Sequence, residues 1–275
     1  MTTTISIPTV TGAPLATGVG ARVRWAISDT LTVTKRNLIA ITRIPEALFF
    51  ATVQPIMFVL LFRYVFGGAI HPGHGINYVN YLMPGIFVQT VAFGAIQTSI
   101  GLAEDLQKGL IERFRALPMA RSAVLAGRTT ADLCRNVMVV IVMSGVGFLV
   151  GYRPTTGVLP YLAGIGLILL FAYALSWGFA LIGLSAPNSE TAQVMSFPLL
   201  FPLTFASSAF VPLAAMPSWL RGFATYQPVS VVVTACRSLM LGGPTSHWIF
   251  QAVAWTVGLL IVLPPLAVWR YRTRT

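Results

Sequence analysis

Ala103–Arg128 reads AEDLQKGLIERFRALPMARSAVLAGR, a charged island in a chain that otherwise avoids charge. Eight of the 25 charged residues fall here: Glu104, Asp105, Lys108, Glu112, Arg113, Arg115, Arg121 and Arg128. Leu102, Leu106, Leu110, Phe114 and Leu117 recur every three or four residues, which lays them on one face of a helix. Glu104–Lys108 and Lys108–Glu112 are i,i+4 pairs on another side. Pro118 cannot supply an amide donor and ends that helix, and Ser122 is placed to cap the next one. The stretch predicts a short amphipathic helix, a break and a second helix start, all in water beside a membrane.

The membrane follows from composition. Hydrophobic residues make up 56% of the 275 positions, charged residues only 9%, and the mean hydropathy is +0.78. A soluble domain carries about a quarter charged residues, so this is an all-α polytopic membrane protein with little room for a soluble domain. The net charge of +11 does not point to nucleic acid. The basic residues sit in short segments between apolar runs, as membrane topology requires.

Residues 1–25 are rich in Thr, Gly, Pro and Ala and lack an apolar core after a basic start. They read as a disordered tail rather than a cleaved signal. Over residues 26–45, Ile27, Leu31, Leu38 and Ile41 share a face while Lys35, Arg36 and Arg43 lie mostly elsewhere. That pattern predicts an interfacial (elbow) helix on the inner leaflet, with a plain juxtamembrane linker as the alternative. Residues 46–270 then form a six-span membrane domain, and 271–275 a short tail. The spans are expected at about 47–66, 79–102, 130–150, 158–184, 191–211 and 247–269, each near the ~20 apolar residues a bilayer requires.

Lysine and arginine set the orientation. With the N-terminus inside, 14 of the 18 basic residues are inside, leaving Arg63, Arg153, Arg221 and Arg237 outside. Both termini are therefore expected to be cytoplasmic, in the plasma membrane. Cys134 and Cys236 then lie on opposite sides and are not expected to pair. Tyr226–Leu241 is apolar but only 16 residues long, contains Arg237, and is bounded by Gln227-Pro228 and Gly242-Gly243. Residues 215–243 are accordingly expected to form two short helices that enter the outer leaflet and return, a backbone tolerated only under protein or water cover.

The chain lacks most chemistry. No Asp or Glu is expected at mid-membrane depth, as a proton relay would need, and no catalytic residues are assigned. The motif HPGHG at 71–75 reads as a polar turn before a weak metal site, so no metal is assigned to His71 and His74. No G-x-x-x-x-G-K-[ST] phosphate loop occurs. Energy for uphill transport must come from another polypeptide, and the island is where it would enter. Gln54, Gln89 and Gln97 either line a path or bond between helices. Phe197, Phe201 and Phe205 recur every four residues and either pack or wall an apolar substrate. Pro198 and Pro202 favour a bend beside them. Gly147 and Gly151 are spaced for close helix packing or lie so by chance.

The island from Glu104 to Arg128 resembles the cytoplasmic loop of ABC exporter permeases of the second export type, above all the daunorubicin/doxorubicin resistance subfamily. Ser207–Gly243, SSAFVPLAAMPSWLRGFATYQPVSVVVTACRSLMLGG, resembles the outer re-entrant region of the same family. The resemblance implies that two permease chains, identical or sister, pair and dock on separate cytoplasmic ABC ATPase subunits. ATP and magnesium belong to those subunits, so this chain is not itself an enzyme and binds no cofactor. The island becomes the coupling helix, with Glu104, Lys108, Leu110, Glu112, Arg113, Phe114, Arg115 and Leu117 as the coupling set and Phe114 its anchor. Pro212, Trp219, Pro228 and Arg237 become an outer re-entrant gate. The expected cargo is a hydrophobic or amphipathic small molecule such as a drug, leaving along Gln54, Gln89, Gln97, Phe197, Phe201 and Phe205. The alternative cargo is a lipid, glycolipid or lipid-linked glycan. A membrane enzyme or sensor is disfavoured because no catalytic constellation is visible.

Overall fold

The computed structural model describes residues 19–43, 45–67, 77–110, 121–244 and 246–273. Among these residues every regular element is helical: α1 (Val19–Thr42), α2 (Pro45–Leu61) with a π turn at Phe62–Phe66, α3 (Tyr78–Gln107), α4 (Arg121–Leu149), α5 (Val158–Ser185), α6 (Ser189–Phe205), a 3₁₀ turn at Leu213–Ala215, α7 (Ser218–Tyr226), α8 (Pro228–Leu241) and α9 (Ser246–Thr273). Four of them, α3, α4, α5 and α9, are long and apolar enough to cross a membrane. α2 runs on through its π turn to Phe66, and α6 has 17 residues.

The helices start where side chains satisfy free amides. Asn77 accepts from the Val79 amide at 3.2 Å to open α3. Asn188 accepts from Thr191 at 2.7 Å to open α6. Gln227 accepts from Val229 at 3.0 Å, with Pro228 as the first residue of α8. The Gln227 amide also donates to the Leu203 carbonyl at 2.9 Å, which closes one of the free carbonyls left at the end of α6.

The central helix is α3, which packs against α2, α4, α5, α6 and α8. Leu82, Met83, Ile86 and Phe87 of α3 meet Met143 of α4, Phe171 of α5 and Val232 and Cys236 of α8 in the main core. In lipid, such contacts rest on close packing rather than on escape from water. Gly183 of α5 shows the fit: a Cβ there would come within 2.4 Å of the Ser99 carbonyl on α3. Gly147 of α4 packs on Met83, but Gly151 lies beyond the helix at φ +100°, so the Gly147/Gly151 spacing is not one packing face.

α1 and α9 meet the same end of the bundle. Arg36 of α1 pairs with Asp105 near the end of α3. Tyr271 of α9 packs with Leu102 of α3 and Leu184 of α5.

Several boundaries differ from the sequence reading, for identifiable reasons. The first helix starts at Val19, not 26, and its face toward α4 is Val33, Thr34 and Asn37 rather than the apolar stripe. Thr34 donates to the Gly127 carbonyl at 3.2 Å, while Ile27 and Leu31 stay exposed. The helix that carries the third span is already formed at Arg121, beside the start expected at Ser122. The fifth ends at Phe205 rather than 211, because Ser207 bonds back to the Thr204 carbonyl and caps the Ala209 amide at 3.1 Å. Residues 271–273 are not a free tail but the end of α9, with Tyr271 1% exposed.

Candidate functional site

The charged island begins inside α3. That helix runs on past 102 to Gln107, and the chain turns away only at Lys108 and at Gly109, whose φ of 63° is a left-handed cap. The stripe therefore divides. Leu102 is buried and Leu106 half-buried among Leu125 of α4, Trp177 and Leu184 of α5 and Ala267 and Tyr271 of α9. Those two leucines are bundle core, a correction to their reading as part of a free docking face. Leu110 is half-buried. Glu104 and Lys108 pair at 3.2 Å on the exposed side. Glu112, Arg113, Phe114, Arg115 and Leu117 lie outside the described residues, as do His71 and His74.

Behind the island a ladder of charges crosses three helices. Arg128, Asp132 and Arg135 stand at i, i+4 and i+7, one face of α4. Asp105 of α3 faces Arg36 of α1 at 3.4 Å and Arg128 at 3.8 Å. Asp132 faces Arg128 at 3.6 Å and Arg135 at 3.2 Å and accepts from the Thr98 hydroxyl at 2.6 Å. Arg135 continues to the Gly94 carbonyl at 2.7 Å, and Arg128 to that of Gln97 at 3.3 Å. Asp132 is 1% exposed, and a buried carboxylate is stable there only because both arginines and the hydroxyl compensate it. Gly101 leaves room for the Arg128 guanidinium to lie close against α3, where an added Cβ would meet it. The sequence reading passed over this ladder because it used the arginines only for orientation. The 128/132/135 spacing was the signal available.

The ladder ends at a cleft between α2, α3 and α4 with a cavity volume of about 90 Å³. Gln54 of α2 and Gln89 and Gln97 of α3 all line it, so the structure brings the three glutamines of the expected path together. Thr90, Arg135 and Asn136 add polar lining that the sequence reading did not name, and Phe58 and Phe93 are apolar walls. The three phenylalanines of the expected path enter it less directly. Phe197 meets Phe93 edge-on at 6.4 Å. Phe201, Phe205, Phe210 and Phe62 form a stacked column with centroids 4.3, 5.5 and 4.6 Å apart, and Phe58 stacks on Phe62 at 6.2 Å.

The four expected gate residues sit at the 3₁₀ turn and on α7 and α8. Arg237 of α8 donates to the carbonyls of Tyr81 and Ala209, each at 2.8 Å, and lies 3.5 Å over the Tyr81 ring. Trp219 is 78% exposed on α7. Pro212 precedes the 3₁₀ turn, and Pro228 opens α8. Arg221, absent from the expected set, closes that turn through the carbonyls of Leu213, Ala214 and Met216 at 3.0–3.1 Å. Cys134 is exposed and Cys236 buried, both free. Among the described residues no three His, Cys, Asp or Glu side chains gather as a metal site.

An apolar helical bundle with a charged ladder at one end and a polar cleft at its flank is the framework of a membrane transport subunit, with no nucleotide loop in its sequence. Residues 28–241 match the ABC-2 type transporter family, and the chain belongs to it. It is similar to the daunorubicin resistance ABC transporter permease protein DrrB1 of Streptomyces coeruleorubidus, 32% identical over 249 residues that cover 90% of this chain and 88% of that one. The probable doxorubicin resistance ABC transporter permease protein DrrC of Mycobacterium tuberculosis is 28% identical over 92% of this chain and 91% of its own length. The putative transport permease ycf38 of Cyanophora paradoxa is 26% identical over 82% and 78%.

Proposed function

We propose that this chain is the membrane-spanning permease subunit of an ATP-driven exporter of hydrophobic or amphipathic small molecules, drugs included. It works as a six-span unit of the plasma membrane with both termini cytoplasmic, paired with a second permease and with separate ATPase subunits that hold ATP and magnesium. The observation that carries this reading is similarity along 90% of the chain to a permease named for drug resistance. Two features of the bundle support it. The island leaves α3 at Lys108–Gly109, within a turn of Asp105, and the ladder runs from Asp105 to the cleft at Arg135. Movement of a docked ATPase at residues 110–117 would thus reach the cleft through rigid helices.

The test is a Phe114→Asp/Arg115→Glu pair. Loss of an aromatic anchor and reversal of a flanking charge should weaken ATPase capture by about 30-fold, the equivalent of a ~2 kcal/mol hot spot. Drug export from cells should fall with it while the permease stays at its normal level in the membrane. Export that survives this pair, or a membrane pull-down that recovers no ATPase, would sink the reading. Stimulation of the purified complex by lipid extracts and not by drugs would move the cargo to a lipid, glycolipid or lipid-linked glycan.

A further inference from the structure

We propose that the loop between α4 and α5 is a latch on α8. The hydroxyls of Thr155 and Thr156 hold the exposed end of that helix shut against the core, and α8 opens at this end. The proposal rests on the export reading only for what the opening serves, the release of cargo past the re-entrant segment.

The last four carbonyls of a helix have no partner within it. In α8 the Gly242 amide takes the first of them, Ser238, at 3.1 Å. The loop takes the other three. Thr155 donates its amide to Met240 at 3.0 Å and its hydroxyl to Leu241 at 2.7 Å, and the Thr156 hydroxyl donates to Leu239. Thr155 and Leu241 are 86 positions apart, so this cap is a tertiary contact and not a local turn. The loop itself is fixed. The Arg153 amide donates to the Asn80 side chain on α3 at 2.9 Å, and its guanidinium donates to the Phe148 and Tyr152 carbonyls at 2.8 Å each. The Tyr152 ring is fully buried, edge-on to Phe87.

The two ends of α8 differ in what water can replace. At its start, Gln227 donates to the Leu203 carbonyl at 2.9 Å and to the Ser230 hydroxyl at 3.0 Å, and the Ser208 amide donates to Ser230 at 2.9 Å. Gln227 and Ser230 are buried, so breaking these bonds strands polar groups away from water. At its other end Thr155, Gly242 and Gly243 are exposed, and a hydrogen bond lost there is exchanged for one to water. Gly242 and Gly243, at φ 87° and 127°, give the chain the freedom to follow the helix end. Between the two ends Arg237 holds the Tyr81 and Ala209 carbonyls through a flexible stem, so its guanidinium can stay in place while the helix axis tilts.

The latch holds down the contact of α8 on α5. Cys236 and Met240 stand one turn apart, both fully buried. The Cys236 thiol lies 3.6 Å from the Gly164 carbonyl, and a Cβ on Gly164 would come within 2.8 Å of the Met240 side chain. Opening at the exposed end parts these surfaces and brings Cys236 to water.

The experiment uses the full-length permease in phosphatidylcholine nanodiscs, without ATPase or nucleotide. Cys134→Ser leaves Cys236 as the single thiol. A charged maleimide reacts with the ionised thiol in water, so its labelling rate reports how often α8 is open. Thr155→Val/Thr156→Val keeps the side-chain shape and removes both hydroxyls, and should speed labelling about tenfold. Thr155→Ser/Thr156→Ser restores the hydroxyls and should return the rate to within about twofold of the parent. A second reporter separates opening of α8 from loosening of the whole bundle. Ser176→Cys, in a background lacking both native cysteines, places a thiol at a fully buried position of α5, about 18 Å along the helix from Gly164. Its labelling should not respond to the valine pair.

Cys236 labelling indifferent to the valine pair overturns the latch, as does a serine pair that labels as fast as the valine pair. Equal acceleration at Ser176→Cys also overturns it, since the loop then only holds the fold together. Because the assay needs no ATPase, its failure leaves export standing. Export lost through Phe114→Asp/Arg115→Glu, with the Cys236 response intact, leaves the latch standing.

Discussion

At one end of the bundle a single arginine, Arg237, is held by two backbone carbonyls and a tyrosine ring. At the other end three arginines are threaded between two aspartates. Both arrangements place guanidinium groups among apolar helices, but they differ in what can give way. The partners of Arg237 are backbone atoms of α3 and of the turn after α6, which allow one geometry. Arg128 divides itself between Asp105 at 3.8 Å and Asp132 at 3.6 Å, and can lean toward either carboxylate. The Arg237 end offers its guanidinium one set of partners, whereas the ladder end offers Arg128 two carboxylates. That difference suits an element joined to the island, where force from an ATPase would arrive.

The comparison breaks most severely at Asp132. Asp132→Leu leaves Arg135 buried without its carboxylate and should cost about 3–5 kcal/mol, read as a fall in thermal unfolding temperature in detergent. The double replacement Asp132→Leu/Arg135→Met should recover most of that loss, because an apolar pair of similar volume carries no stranded charge. A double variant as unstable as the single one would show that the ladder is not a reciprocal pair.

Two glycines sharpen the contrast at an intermediate scale. At Gly85 an added Cβ would meet the Ala209 carbonyl at 2.2 Å, and at Gly101 it would meet the Arg128 guanidinium at 1.7 Å. The shorter contact should be the milder one. Gly85→Ala presses on backbone already tied by Tyr81, Tyr78 and Arg237, and should cost about 2–3 kcal/mol as overpacking. Gly101→Ala meets the far end of a long side chain that can swing, and should cost about 1 kcal/mol. Equal losses in a thermal unfolding comparison would refute the rigid/yielding distinction. The smallest effect belongs to Lys108→Gln. Its 3.2 Å pair with Glu104 is exposed on both sides, and exposed pairs contribute about 0–1 kcal/mol. Stability should hardly move.

Much of the architecture was legible from hydropathy. The positions of α3, α5 and α9 follow from apolar runs of the right length, and the two short helices α7 and α8 follow from Gln227-Pro228 and Gly242-Gly243. The ends of helices were less legible, because they depend on single capping contacts such as Ser207 with Thr204 and Ala209. In the site, Gln54, Gln89 and Gln97 were visible as polar residues in apolar runs. Their shared cleft was not, because 43 residues separate Gln54 from Gln97 and only packing brings them together. Asp132 and Arg135 were readable as a helical spacing, yet their burial depends on Thr98 and Gly94 of another helix.

The sequence alone determined that the chain is a helical membrane protein, that charge concentrates between Ala103 and Arg128, and that a resistance-type permease is its resemblance. These are properties of composition and order along one dimension. Tertiary structure decided which part of the apolar stripe faces the protein: Leu102 and Leu106 belong to the core, because α3 runs on to Gln107. The physical reason is that lipid and protein interior are equally apolar, so hydropathy cannot tell a helix face that meets one from a face that meets the other. Only the arrival of α4, α5 and α9 around the end of α3 settles it.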